Sequence, residues 1–226
     1  MTARSADGAR LSEIGCPAAG ATPRMVVLVL HGGPEHGTAR CHRWLPQVVR
    51  CRLLARAVVR RWPTRRVGEV AVYLLQHAWT GWDGDGRDAI ADARWAVRVL
   101  AQRHPHAPVA ILGHSMGGRV GVRVAGAENV IGVVGLAPWL PATEPVEPLR
   151  DRRLSTIQGT RDHELPASTT ATFLARATAF GVPVRRHEIR GGGHAMLFRM
   201  GRWSACAVTE LVRLTPAEWG EKLSPG

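Results

Sequence analysis

The chain is poor in several residue types that would otherwise direct its reading. Its 226 residues include four cysteines, one tyrosine, three phenylalanines and a single lysine, Lys222. Cys16, Cys41, Cys51 and Cys206 contain no C-x-x-C pair, which argues against a zinc finger, a redox motif or a disulfide framework. Cys41, Cys51 and His42 lack a second close-spaced pair, so no metal site is expected and the thiols read as buried and reduced. No apolar run approaches the ~18 residues of a membrane span. The first 24 residues hold no apolar stretch of signal-peptide length. Internal repeats, heptads and long low-complexity segments are also missing. These absences leave one globular domain with the cytoplasm as its expected compartment.

Arginine, by contrast, is abundant. Lysine and arginine total 30 against 18 acidic residues, a formal net charge of +12. The densest run, Arg50, Arg52, Arg56, Arg60, Arg61, Arg65 and Arg66, reads as a solvated helix face and its connecting loop. No binding motif or basic-aromatic interleaving accompanies the charge, which argues against nucleic acid as a partner. Arginine in place of lysine throughout is explained by compositional bias.

Apolar runs alternate with segments of helical periodicity. Strands are expected at Met25–Leu30, Gly68–Leu75, Val109–Leu112, Val130–Leu136, Leu154–Gln158 and Val184–Ile189. Helices are expected over Trp44–Trp62, Asp88–Arg103, Gly117–Ala127, Pro166–Phe180 and about Ala195–Leu214. This alternation is that of a doubly wound α/β fold, with a mostly parallel sheet of about six to eight strands and helices on both faces. The expected domain spans residues 25–214. Residues 1–24 are compatible with a short strand or with disorder, and 215–226 form a tail.

Sites in such sheets form beyond the carboxyl ends of the strands, and each polar motif of this chain falls there. Gly113-His114-Ser115-Met116-Gly117-Gly118 is a G-x-S-x-G turn between a strand and a helix, which makes Ser115 the candidate nucleophile. A serine hydroxyl needs a base, and the base an orienting acid. Asp162 follows the strand ending at Gln158, with Glu164 as an alternative acid and Asp83 or Asp85 eligible only from another strand end. An alternative for Asp162 is to cap the helix near Pro166 or to pair with Arg161. His194 closes a run of three glycines that has no evident packing purpose, and is the candidate base. His31 and His114 adjoin the motifs and are expected to shape loops rather than transfer protons.

The order Ser115, Asp162, His194, with His31-Gly32-Gly33-Pro34 ahead of it, resembles the α/β-hydrolase superfamily over roughly residues 25–214. Within it, the resemblance is to small single-domain serine hydrolases of the esterase, lipase and dienelactone-hydrolase-like groups. That resemblance implies oxyanion donors at the backbone N–H of Met116 and of Gly33, Pro34 having no N–H. Members acting on large lipids often carry a helical lid after the strand corresponding to Val130–Leu136. Here Pro138–Asp151 is too short for a cap domain, so an open site is expected. Trp79, Trp82, Trp139, Leu140, Met196 and Leu197 are candidates for an apolar substrate pocket, and for Trp82 sealing the core is an equal alternative. Trp44, Trp95 and Trp203 fall within helices and read as core.

The implied activity is a cofactor-independent, metal-free cleavage of a small carboxylic ester or thioester, free or carrier-bound, through an acyl-enzyme. Interception of that acyl-enzyme by another nucleophile would make an acyltransferase or cyclase. A non-catalytic binding protein on the same fold is the alternative of a different class. Oligomeric state is left open.

Overall fold

Met25–Leu30, MVVLVL, is buried at every position, as a strand covered on both faces must be. In the computed structural model, which describes residues 2–17 and 21–215, this segment lies inside an eight-stranded sheet. The strands are β1 (Thr2–Arg4), β2 (Arg10–Gly15), β3 (Met25–Leu30), β4 (Val70–Gln76), β5 (Val109–His114), β6 (Val130–Leu136), β7 (Arg153–Gly159) and β8 (Val184–Ile189). The helices are α1 (Pro46–Arg61), α2 (Thr64–Val67), α3 (Arg87–Arg103), α4 (Met116–Val124), α5 (Ala167–Ala179) and α6 (Met200–Leu214).

The strand order is β1-β2-β4-β3-β5-β6-β7-β8. From β4 to β8 every neighbouring pair is parallel, whereas β1 and β2 add an antiparallel edge onto β4. Residues 1–24 therefore contribute two strands, and Leu11 is fully buried.

Strand side chains alternate between two cores, following the period of two that a pleated strand imposes. Val26, Leu28 and Leu30 join Ile90, Ala93 and Val97 of α3, Val120 of α4 and Phe173 of α5. Met25, Val27 and Val29 join Val48, Leu54 and Val58 of α1 and Trp203, Ala207 and Leu211 of α6. Each fully buried aliphatic side chain contributes about 1.5–3 kcal/mol of transfer free energy.

Four sequence expectations need correction. The last helix begins at Met200 rather than near Ala195, because Met196 (φ 56°) and Arg199 (φ 63°) hold left-handed backbone that no helix interior accepts. Trp44 is 68% exposed, since Pro46 starts α1 after it and Arg43 covers its ring. All four thiols are free, but only Cys51 is buried. Of the three glycines before His194, Gly192 does have a packing role: a Cβ on Gly159 would lie 2.3 Å from the Gly192 carbonyl, and one on Gly192 3.0 Å from the Trp203 ring.

Between β6 and β7 the chain forms only a loop with one 3-10 turn, Glu147–Leu149, so no cap covers the carboxyl edge. No helix among the described residues is long and apolar enough to cross a membrane.

Candidate active site

Ser115 stands between β5 and α4 with φ 52° and ψ −119°, a conformation a non-glycine residue adopts only when its surroundings enforce it. The enforcement is visible in its neighbours. A Cβ on Gly113 would lie 2.3 Å from the Gly117 carbonyl, and one on Gly117 2.4 Å from that of Leu30, so the turn closes only with glycine at both positions. The Ser115 N–H donates to the Leu136 carbonyl at 3.0 Å, fixing the apex to β6.

Three side chains from three strand ends meet there. His194 Nε2 lies 3.0 Å from Ser115 Oγ, and His194 Nδ1 lies 2.9 Å from Asp162 Oδ2. An ionised carboxylate only accepts hydrogen bonds, so Nδ1 carries the proton and Nε2 of the neutral ring is left to accept from the serine hydroxyl. The Asp162 side chain is fully buried, and its oxygens are held by the loop. Oδ1 accepts from the N–H groups of Glu164 and Leu165 at 3.1 and 2.8 Å, and Oδ2 also accepts from Gln158 Nε2 at 2.7 Å.

These contacts separate Asp162 from its alternatives. It forms no ion pair with Arg161 among the described residues, and α5 has no side-chain cap. Glu164 Oε2 is 3.9 Å from Nε2, the nitrogen facing Ser115, and its side chain is 72% exposed. Asp83 and Asp85 border a different concavity beside Trp79 and Trp82, and Asp85 accepts from the Arg87 N–H.

Two further histidines, His31 and His114, hold the loops around Ser115. His31 Nε2 accepts from the His77 N–H at 3.1 Å, which leaves Nδ1–H to donate to the Gly32 carbonyl at 2.7 Å. Burial, with His77 alongside, holds His31 down to about 3. His114 Nε2–H donates to the His194 carbonyl at 2.9 Å, and burial holds this ring down to about 3 as well. Sequence reasoning missed Gln158, which also donates from Nε2 to the Leu165 carbonyl at 2.6 Å. Its place at the end of the strand that leads into Asp162 was the available signal.

Ser115 opens into a cavity of about 220 Å³. Gly32, Gly33 and Pro34 line it from the loop after β3, Gln47 and Arg50 from α1, His114 from β5, and Glu164 and His194 from the loops after β7 and β8. Gly33 and Met116 adjoin: a Cβ on Gly33 would lie 3.1 Å from Met116 Sδ. The Met116 N–H is at the first position of α4, where no intrahelical acceptor exists. A larger concavity of about 860 Å³ lies on the outer side of Gly193, but Ser115 does not border it.

None of the six side chains expected to bind substrate lines the Ser115 cavity. Trp82, Leu140 and Met196 are buried in the two cores. Trp139 is half-buried and meets Trp82 edge to face at 5.8 Å, while Arg119 stacks on both rings. Trp79 lies under Arg40, and Leu197 is 71% exposed.

Comparison with known proteins agrees with this architecture. The sequence pattern of the family described as serine aminopeptidase, S33, matches residues 80–180, a stretch that includes Ser115 and Asp162. No curated protein matches the chain. Among solved structures, an alpha-beta serine hydrolase homologue from Coxiella burnetii is similar, with a TM-score of 0.70, 17% identity and coverage of 93% of this chain and 96% of the other. A putative alpha/beta hydrolase from Agrobacterium tumefaciens gives a TM-score of 0.70 at 16% identity, covering 100% and 99%. A serine hydrolase without lid from Xanthomonas campestris gives 0.66 at 17% identity, covering 96% and 94%. Sheet order and the likeness to these solved structures agree on an α/β-hydrolase fold.

Proposed function

We propose that the protein is a cofactor-independent serine hydrolase that cleaves a small carboxylic ester or thioester through an acyl-enzyme. The observation that carries this reading is the unbroken hydrogen-bonded chain from Ser115 Oγ through His194 to Asp162. Ser115 Oγ attacks the acyl carbon while its proton passes to His194 Nε2, and the charge that builds on the imidazole is met by Asp162. Collapse of the tetrahedral intermediate breaks the bond to the leaving oxygen or sulfur, which takes the proton from Nε2. Water then gives its proton to the same nitrogen and attacks the acyl carbon, so that free acid leaves and Ser115 is restored. The N–H groups of Met116 and Gly33 are proposed to hold the oxyanion, each worth about 3 kcal/mol of barrier.

The cavity at Ser115, about 220 Å³, is smaller than the ~300 Å³ at which most ligand pockets begin, and a short ester is the substrate proposed for it. Labelling by a fluorophosphonate probe tests the reading: wild type is expected to label and Ser115→Ala not, with turnover of p-nitrophenyl esters falling on the order of a million-fold in the variant. An unlabelled wild-type protein, or labelling that survives Ser115→Ala, would overturn it. Free acid as the acyl product is the expected outcome with water as acceptor. Acyl transferred to an added amine or alcohol in its place would change the reaction class.

A further inference from the structure

We infer that Arg50 and Gln47 form an anion-binding subsite beside Ser115, so that the preferred substrate is a short ester bearing a carboxylate. The inference rests on the hydrolase reading above and narrows its substrate class.

Gln47 and Arg50 stand three residues apart on α1 and therefore share a face. Val48, Cys51, Leu54, Ala55 and Val58 of the same helix are buried in the core, and Gln47 and Arg50 lie along the edge of that buried face. Both polar residues border the same cavity as Ser115 and His194. Arg50 Nε is shut off from solvent and has no hydrogen-bond partner. Among the described residues it forms no ion pair. Arg10 and Arg103 also have a buried nitrogen without a partner, but neither borders this cavity.

Two buried carboxylates elsewhere in the fold are matched by cations. Glu144 is met by Arg119 and Arg123, and Glu210 by Arg185, His187 and Arg213. At the Ser115 cavity the only acid is Glu164, which is turned out to solvent beside His194 and does not reach Arg50. The first turn of α1 holds no acidic residue, so the partial positive charge of the helix start adds to that of the guanidinium. The wall of the cavity thus carries a guanidinium that no carboxylate pairs with among the described residues. A carboxylate is the group a guanidinium fork pairs with best at this scale.

The test uses two matched ester pairs, with acid release followed by titration. Monoethyl succinate against ethyl butanoate places the carboxylate on the acyl side. Acetoxyacetate against propyl acetate places it on the leaving-group side. The wild type is expected to favour the anionic member of at least one pair by about tenfold or more in kcat/KM. Arg50→Met should remove that preference while changing the neutral ester less than about threefold. Arg98→Gln, an exposed arginine on α3, removes the same net charge from a remote position and should retain it.

Absence of a preference in both pairs, its survival in Arg50→Met, or an equal loss in Arg98→Gln would each overturn the subsite. Should Arg50→Met not fold, protection of the wild type decides: succinate should slow fluorophosphonate labelling at concentrations where succinamide does not, and equal effects would overturn the subsite. A wild type that labels and cleaves neutral esters without an anionic preference sinks the subsite alone. One that neither labels nor cleaves any ester sinks the hydrolase reading itself.

Discussion

His114 donates from Nε2 to the backbone carbonyl of His194 at 2.9 Å, so the residue before the nucleophile holds the loop that carries the proposed base. The bond joins the end of β5 to the loop after β8, two strands apart from it in the sheet order by β6 and β7. Position of the imidazole is thereby fixed twice, through its backbone by His114 and through its ring by Asp162.

Asp162 and Glu164 are distinguished by which imidazole nitrogen each approaches. Because Glu164 stands near Nε2 and not Nδ1, it cannot replace Asp162 in orienting the ring. Asp162→Asn is expected to lower kcat on the order of 10⁴-fold, and Glu164→Gln less than about threefold. Steady-state kinetics on a p-nitrophenyl ester checks both, and the reverse ranking would show that the acid has been misassigned.

Gln158 is a positioning residue for Asp162. Its Nε2 bridges Asp162 Oδ2 and the Leu165 carbonyl, so its loss frees the carboxylate to turn within the loop. Gln158→Leu is expected to lower kcat between about tenfold and a hundredfold with KM unchanged. The downfield Nδ1 proton resonance of His194 should shift in the same variant. A lower melting temperature with kcat and that resonance unmoved would mean that Gln158 serves only the fold.

The elements that give the site its frame were legible because they are apolar runs of strand length and helices with punctuated ends. Val130–Leu136 and Val184–Ile189 have the boundaries read from the sequence. The elbow was legible for a different reason, since close approach at Gly113 and Gly117 leaves a mark in residue type. What was not legible depends on through-space contacts. Met196 and Arg199 are good helix formers, and only the loop's packing forces them to positive φ. Trp82 on a glycine-rich loop looked equally like a pocket wall and a core seal, because the stacking by Arg119 that buries it comes from α4. Arg50 read as part of a solvated helix face and Gln47 carried no signal, and only the folded chain shows that both border the Ser115 cavity.

Two buried neutral histidines make stability depend on pH. An imidazole free in the unfolded chain titrates near 6.5, whereas burial holds His31 and His114 down to about 3. Between these values the unfolded chain takes up protons that the folded one does not, so stability falls as pH drops below 6.5 and this contribution levels off below 3. At pH 5 each group costs ~2 kcal/mol relative to neutral pH. Urea unfolding at pH 7, 6 and 5 should show this decline. His114→Gln, which keeps a donor for the His194 carbonyl, should roughly halve it; a wild type equally stable at pH 7 and 5 would contradict the assignment.

Trp82, Arg119 and Trp139 form a stack whose role is packing rather than contact with substrate at the Ser115 cavity. Arg119 packs in the corner that the two rings form, 3.8 and 4.4 Å from their centroids, and its charge is matched by the buried carboxylate of Glu144, which Arg123 also binds. Removing Arg119 would leave that carboxylate with one partner and uncover both rings, so Arg119→Met is expected to destabilise by about 3 kcal/mol. Trp82→Ala, which empties a site only 2% exposed, is expected to cost about 3–5 kcal/mol. Neither residue borders the Ser115 cavity, so in whatever fraction remains folded KM for a short ester should stay within about twofold of wild type. Denaturant unfolding together with active-site titration separates the two quantities. A large rise in KM at unchanged stability would return the tryptophans to the substrate.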